Sequence, residues 1–333
     1  MKVSAFAVYR EREVLKDYSF EIGALGSHEV LVKVTHCGLC HSDLHMIDDD
    51  WGVSEYPLVP GHEIVGFVEK VGKEVNGFKV GDRVGVGWQC GSCLKCKECL
   101  SGFEQLCTQM VETIVGRHGG FADHIVVDSR FVYKIPDEID SAWGAPLLCA
   151  GLTVYQPLFF YGAGKGVRVA VVGLGGLGHL AVQFAKALGC EVAVISTSLD
   201  KGRDAIKFGA SKFSTNVSDK KLLRKFDIVL DTTQVNLDWG LYIELLAPLG
   251  RLVIAGIPVG EVAVPIGPLV NGQKSVCGAS LGGRTTMKEM LVFAAKNNIK
   301  PQVELMPIDK INEAVRKLRE GRARYRIVLD LQA

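Results

Sequence analysis

Eight of the ten cysteines fall in the first 149 residues, in spacings that could hold metal. Cys93, Cys96, Cys99 and Cys107 give C-x2-C-x2-C-x7-C within SCLKCKECLSGFEQLC. Four thiolates on so short a lobe can close a tetrahedron around Zn2+ and leave no open position, which is the structural rather than the catalytic arrangement. Cys90 adds a fifth sulfur at the same three-residue spacing, so an iron–sulfur cluster is the rival reading and unligated cysteines are the third. A second group is scattered: Cys40 in CGLCHSDLH, His62 with Glu63 in VPGHEIVG, and Cys149 in LLCAGLTVY. Separately each has a plain explanation, as a packed thiol or a hydrogen-bonded imidazole. Together, two cysteines, a histidine and one position left for water or substrate make a catalytic zinc arrangement, with Glu63 available as a further oxygen ligand.

The segment GLGGLGH opens with Gly173 and runs through Leu174, Gly175, Gly176 and Leu177 to Gly178. It follows an apolar run, VRVAVV, and opens the amphipathic HLAVQFAKALG. G-x-G-x-x-G in that setting permits a tight turn, lets backbone approach a pyrophosphate and aims helix N–H groups at it. A glycine turn with a purely structural purpose is the alternative. The next strand, EVAVIS, ends at Ser196, where an NAD-selective site would carry an acid for the ribose 2′-hydroxyl. Ser196, Thr197 and Ser198 stand there instead, with Lys201 and Arg203 just beyond, a set suited to a 2′-phosphate. NADP(H) is therefore expected in preference to NAD(H), and Asp200 is expected to cap the following helix.

These residues need two kinds of scaffold. Up to about residue 147 the chain is rich in short β-branched runs broken by glycine, such as HEVLVKVTHCG, EIVGFVEKVG, FKVGDRVGVGW and FADHIVVDSRFVYKI, which read as antiparallel strands. Beyond about 150, strands and amphipathic helices alternate, ending with a helical WGLYIELLAPLG and a strand RLVIAGI, and this implies an α/β fold with a parallel sheet. Helical MKEMLVFAAKN, the short PQVELMP, helical KINEAVRKLREG and the strand YRIVLDL close the chain, and two of these pieces are expected to rejoin the first domain. We place a catalytic domain at 1–147 with its cysteine lobe at about 88–110, a dinucleotide-binding domain at 148–287, and a returning segment at 288–333. Lys and Arg number 38 against 37 Asp and Glu, so no chain-wide field exists to hold nucleic acid or an anionic membrane, and a small-molecule partner is expected. The beginning, MKVSAFAVYREREV, carries charges where a signal peptide would be apolar, so a cytoplasmic location is expected and the cysteines read as metal ligands rather than disulfides. The nearly uncharged run from Val169 to Ala185 is interrupted by four glycines and reads as strand, turn and helix rather than a membrane span.

In these residues the chain resembles the zinc-dependent medium-chain alcohol dehydrogenases, and more closely their NADP-dependent cinnamyl alcohol dehydrogenase-like branch. CGLCHSDLH, YPLVPGHEIVG, the cysteine lobe, GGFADH, LLCAGLTVY, GLGGLGH, VISTS and RYRIVLDL follow in the family's order over nearly the whole chain. The resemblance implies a GroES-like catalytic domain and a doubly wound Rossmann domain. It implies catalytic zinc on Cys40, His62 and Cys149 with Glu63 as alternative ligand, Asp43 as the carboxylate steadying that site, and structural zinc on Cys93, Cys96, Cys99 and Cys107, two ions per chain. Cys37 and Cys90 receive no role. It further implies that Ser42 and His45 relay the substrate proton by way of the cofactor ribose, that His41 approaches the pyrophosphate, and that Thr153, Thr232, Gly256 and the backbone of Ala279, Ser280 and Leu281 meet the cofactor. Trp51 and Trp88 occupy positions that line the family's substrate pocket; packing in the core is their other reading.

The implied activity is hydride transfer between NADP(H) and a primary alcohol or aldehyde, aromatic or medium-chain, with aldehyde reduction the preferred direction. The alternatives are a polyol or secondary-alcohol dehydrogenase of the same superfamily and, more remotely, a non-catalytic NADPH-binding zinc protein. A zinc-lobe nucleic-acid or protein-binding module finds no basic stripe, since Lys95 and Lys97 are offset by Glu98 and Glu104. The run Asp48 to Asp50 reads as a solvated face that could disfavour anionic substrates. A homodimer is expected, with a tetramer as the alternative, because a parallel sheet of this type leaves edges that need cover.

Overall fold

The computed structural model describes residues 1–258 and 260–333, and the chain divides into two units. One comprises Met1–Cys149, Gly282–Lys296 and Lys300–Ala333; the other comprises Ala150–Leu281 and Asn297–Ile299.

The first unit is built on a seven-stranded sheet centred on the long strand Glu29–Leu39. Strands Glu63–Val71, His124–Asp128 and Arg326–Asp330 all pair antiparallel to it, and Arg83–Val86 and Tyr133–Lys134 continue beyond Glu63–Val71. Val303–Pro307 adds a parallel edge on Arg326–Asp330. Register matters for the site: Gly38 lies opposite Glu63 on one side and Val328 on the other, so a residue near the end of the sequence is brought beside one near its start. Glu63 forces Gly38 to lack a side chain, because a Cβ there would fall 2.0 Å from Glu63 Oε2. The core packs Val32, Ile64, Phe121 and Leu329 with helix residues Ile47 and Ile311. Cys37 and Cys90 belong to this same core, where burial raises both thiols.

The second unit is a six-stranded, wholly parallel sheet in the order Lys212–Ser214, Glu191–Ile195, Arg168–Val172, Phe226–Asp231, Leu246–Ile254, Ser275–Gly278. Its central strands are continuous apolar runs, RVAVV and EVAVI, as strands covered on both faces must be. The chain enters at Arg168–Val172 in the middle, winds outward one way, then returns to wind the other, so the order reverses between Arg168–Val172 and Phe226–Asp231.

One boundary departs from the sequence reading. The stretch WGLYIELLAPLG is helical only over Trp239–Leu245, and Leu246–Ile254 is already strand. Pro248 has no N–H to continue a helix and Leu249 adopts φ +64°, so the chain turns extended before Gly250 rather than after it. Among the described residues no helix is long and apolar enough to cross a membrane, and no cysteine is in a disulfide.

Candidate metal centres and nucleotide site

Cys40 caps the helix His41–Asp48, and the third residue of that helix, Asp43, reaches back to it in a capping box. The Asp43 carboxylate is fully buried and accepts three hydrogen bonds: Cys40 N at 2.9 Å on Oδ2, and Gly61 N at 2.9 Å with His62 Nδ1 at 3.0 Å on Oδ1. With its Nδ1–H committed to that acid, His62 presents Nε2 to the other side, 3.3 Å from Cys149 Sγ. Cys149 is delivered by a π-helical turn, Leu147–Gly151, a local widening that recurs where a helix must aim a functional group.

The ligand atoms of Cys40, His62, Glu63 and Cys149 all lie within 4.8 Å of one another, and all four residues are buried. Two sulfurs, an imidazole nitrogen and a carboxylate form the mixed donor set that suits Zn2+. Glu63 Oε1 is bonded to Arg326, whereas Oε2 is buried without a hydrogen-bond partner, an orphan that a cation would satisfy. Among the side chains themselves, the electrostatics favour the ligating form at Cys40 alone, since His62 and Cys149 are both held well above their usual values. A hydrogen bond from Cys149 lowers the Cys40 thiol well below its usual value, against burial and with help from Arg326 and His62. Burial pushes Glu63 up to about 7, while Arg326 opposes it. Arg326 was not among the residues singled out from sequence; it leads the strand Arg326–Asp330, is 4% exposed, and forms a buried ion pair with Glu63 from 263 positions away.

On the same helix Ser42 lies 3.8 Å from Cys40 Sγ, and His45 is one turn on, on the same face. His45 Nδ1 meets Asp50 Oδ2 at 2.7 Å, and its Nε2 is buried without a partner. The aspartate run is solvent-accessible and also partnered: Asp48 and Asp49 are half-buried and Asp50 exposed, while Asp48 pairs with Arg319, Asp49 Oδ1 accepts Ser54 N at 2.9 Å, and Asp50 holds His45. The rings of His45 and Trp51 are 5.1 Å apart, Trp51 and Trp88 meet edge to face at 5.8 Å, and Trp88 meets His62 edge to face at 5.0 Å. Both tryptophans are half-buried, so they form an aromatic wall from His45 to His62. His41 is half-buried at the start of the helix, where burial lowers its imidazole.

In the cysteine lobe the sulfurs of Cys93, Cys96, Cys99 and Cys107 likewise lie within 4.8 Å of one another. Backbone N–H groups already face them: Cys96 N is 3.3 Å from Cys93 Sγ, Cys99 N is 3.5 Å from Cys96 Sγ, and Gln109 N is 3.3 Å from Cys107 Sγ. Backbone donation from Lys95 and Cys96 lowers Cys93 to about 6, which prepares it as a thiolate ligand. Cys90, the fifth sulfur of the sequence pattern, is not in this group; it sits on the strand Gln89–Gly91 in the core.

The residues read as cofactor contacts gather beyond the carboxyl ends of the parallel strands. Gly173 follows Val172, Ser196 follows Ile195, Thr232 follows Asp231, Gly256 lies past Ile254, and Ala279 follows Gly278. Gly173 and Thr232 flank the reversal of strand order, with Thr232 Oγ1 donating to Val172 O at 2.7 Å. Gly173 holds φ +84°, and a Cβ on Gly178 would fall 2.1 Å from Gly173 O, so helix Gly178–Ala187 packs against the turn as closely as a pyrophosphate cradle requires. Space around Gly175 is open to 4 Å, leaving room for a phosphate, and the buried Leu174 and the N-cap Leu177 complete the turn. Ser196 is buried, Thr197 exposed and Ser198 half-buried, with Lys201 ending a 3-10 turn. Asp200 lies inside that turn; the N-cap of helix Gly202–Phe208 is Lys201, so the expected capping role does not fall to Asp200. Thr153 lies on helix Leu152–Phe160, and Ser280 and Leu281 follow Ala279.

Residues 26–137 match the alcohol dehydrogenase GroES-like domain, and residues 176–296 match the zinc-binding dehydrogenase domain. The chain belongs to the zinc-binding alcohol dehydrogenases, with a GroES-like domain and a Rossmann-type domain. Among its relatives are the aldehyde reductase AdhA of Synechocystis, 42% identical over 98% of both chains, and NADP-dependent alcohol dehydrogenase C 1 of Mycolicibacterium smegmatis, 43% identical over 98% of this chain and 97% of that one. Two solved structures are close in fold. A cinnamyl alcohol dehydrogenase of Sorghum bicolor superposes with a TM-score of 0.96, at 37% identity and covering 100% and 98% of the two chains. The Helicobacter pylori enzyme, solved with NADP(H), gives 0.92 at 36% identity, covering 99% and 98%.

Proposed function

We propose that this chain is a zinc-dependent alcohol dehydrogenase and aldehyde reductase acting between NADP(H) and primary alcohols or aldehydes of aromatic or medium-chain type. The observation that carries the reading is the convergence of Cys40, His62, Glu63 and Cys149 within 4.8 Å in one buried cluster, with Glu63 Oε2 left without a partner. Zinc bound there would polarise the substrate oxygen, and NADP(H) would supply or accept the hydride. Cys40, His62 and Cys149 would hold the ion, with Glu63 as the alternative ligand. Asp43 fixes the His62 tautomer and the Cys40 backbone, so both ligands stay aimed at one point. Ser42 exchanges the substrate proton. Asp50 occupies Nδ1 of His45 and leaves Nε2 to pass that proton toward water. Trp51 and Trp88 give the substrate a flat, apolar wall.

A second zinc on Cys93, Cys96, Cys99 and Cys107 is structural. The Gly173 to Gly178 turn would hold the pyrophosphate, and Ser196, Thr197, Ser198 and Lys201 would read the 2′-phosphate. Thr153, Thr232, Gly256 and the Ala279–Leu281 backbone meet the rest of the cofactor. The enzyme works as a homodimer in the cytoplasm, with catalytic residues within 1–147 and 148–287 binding the nucleotide.

Metal analysis of the purified protein, run beside NADPH oxidation with cinnamaldehyde, benzaldehyde, butanal and a ketone, tests the proposal. Two zincs per chain and aldehyde-dependent NADPH loss are expected. Preference for the ketone would favour the secondary-alcohol alternative, and NADPH binding without turnover on any of them would reject the enzyme.

A further inference from the structure

The cysteine lobe holds a buried acid that the metal chemistry does not use. Glu104 opens the 3-10 turn Glu104–Leu106 just before Cys107, and it is 2% exposed. Its backbone oxygen accepts Gln89 Nε2 at 2.8 Å and Cys107 N at 3.1 Å, so the turn is fixed to the lobe. Its carboxylate grips one residue twice: Oε1 accepts Arg284 Nε at 2.7 Å and Oε2 accepts the Arg284 backbone N at 3.1 Å. The neighbouring Gly283 is pressed so close to the lobe that a Cβ would fall 2.0 Å from Gly102 O and 2.5 Å from Glu104 Oε2. Arg284 also lies over the Phe131 ring, 5.5 Å from its centre, and begins the helix Arg284–Lys296, whose positive end faces the acid.

This clamp sits just past the point where the chain leaves the nucleotide unit, at Leu281, and joins the first unit, at Gly282. On the other side, Ala279 N donates to Ile254 O at 2.8 Å and fixes the segment to the end of the sheet. Ser280 to Gly283 is thus strung between two anchors, one in each unit. We propose that Glu104 is a positioning residue for cofactor binding: by clamping Gly283 and Arg284 on the cysteine lobe, it holds the Ala279–Leu281 backbone ready for the part of NADP(H) beyond the pyrophosphate, because in the sheet order Ala279 lies on the far side of the Gly173 turn from Ser196. The inference rests on the reading of Ala279–Leu281 as cofactor-contacting backbone. It gives the lobe a part in recognition, because a segment already ordered costs less to bind than one ordered on arrival.

The test compares two ligands on the zinc-loaded protein. NADPH uses the whole cofactor site, whereas adenosine 2′,5′-bisphosphate uses only the adenosine end. Glu104→Gln should weaken NADPH about tenfold by fluorescence titration, with a matching rise in its KM. Adenosine 2′,5′-bisphosphate should bind within about twofold of wild type, and zinc content should be unchanged. Arg284→Lys, which keeps the backbone bond to Oε2 and the positive charge, should show an intermediate loss of about threefold, and it carries the same comparison if Glu104→Gln does not fold. A variant that melts lower yet binds NADPH as wild type does would reduce Glu104 to a stabilising contact. Equal weakening of both ligands would also overturn the proposal, since it would report a disturbed nucleotide unit. If wild type binds no NADPH, the functional reading fails by itself, and the clamp is judged by hydrogen exchange: Glu104→Gln must speed exchange of the Ser280 to Gly283 amides, and unchanged rates reject it.

Discussion

Asp231 ends the strand Phe226–Asp231 fully buried, with Oδ2 unpartnered and Oδ1 accepting only from Thr233. Burial raises its carboxyl to about 6, and the Thr233 bonds offset this only in part. Moving a carboxyl from about 3.9 to about 6 costs the ionised folded state about 3 kcal/mol, at ~1.36 kcal/mol for each pKa unit. The sign follows from proton binding. The folded chain holds this proton more tightly than the unfolded chain, so the group's contribution to stability falls as pH climbs from about 4 to about 6 and is level above that. Asp231→Asn removes the charge permanently, at a cost of about 1 kcal/mol for an amide donor without an acceptor. At pH 7.5 the variant should be more stable by about 2 kcal/mol, or about 6–10 °C in Tm for a unit of this size. At pH 4.5 the advantage should have gone. Thermal melts of the zinc-loaded, nucleotide-free protein at both pH values, at constant ionic strength, decide it. A Tm difference that is the same at both would mean that Asp231 ionises normally and that the desolvation reasoning fails.

Three further outcomes follow from the site. Asp43→Asn keeps the shape but loses the charge that orients His62 and Cys40, so chelator competition should show the catalytic zinc held about 10–100-fold less tightly, with the lobe zinc unaffected. Lys201→Ala should lower the preference for NADPH over NADH at least about tenfold, measured as the ratio of kcat/KM values, with little change for NADH. Arg326→Met strands Glu63 in a dry site and should destabilise the first unit by about 3–5 kcal/mol, whereas Arg326→Met combined with Glu63→Leu should recover most of that loss in urea unfolding.

The sequence carried those parts of the site in which local spacing and chemistry coincide. Four cysteines within fifteen residues can meet only in one place, and a glycine turn between an apolar strand and a helix has one common geometry. Cys40, His62 and Cys149 could be grouped by the chemistry of their donors and by family resemblance, but nothing local says that residues so far apart converge. Arg326 was invisible for the same reason: it precedes an apolar strand like any flanking charge, and only the pairing of Arg326–Asp330 with Glu29–Leu39 sets it beside Glu63. The three adjacent acids read as solvated and Asp50 is exposed, but their partners were not legible: the left-handed turn at Asp49 sends each to a different one. The helix ending at Leu245 was overrun because its apolar pattern continues, whereas Pro248 and Leu249 set the backbone.

The pairing of Arg326 with Glu63 also dictates when the centre can mature. During synthesis Glu63 is exposed by the ribosome long before its counter-charge exists, and the central strand Glu29–Leu39 must wait with one edge open until Arg326–Asp330 arrives. An ion captured by the nascent chain would therefore meet a wetter, more flexible cage than the finished one, and the dry environment that sharpens the metal's pull on a substrate is completed only after translation has passed residue 330.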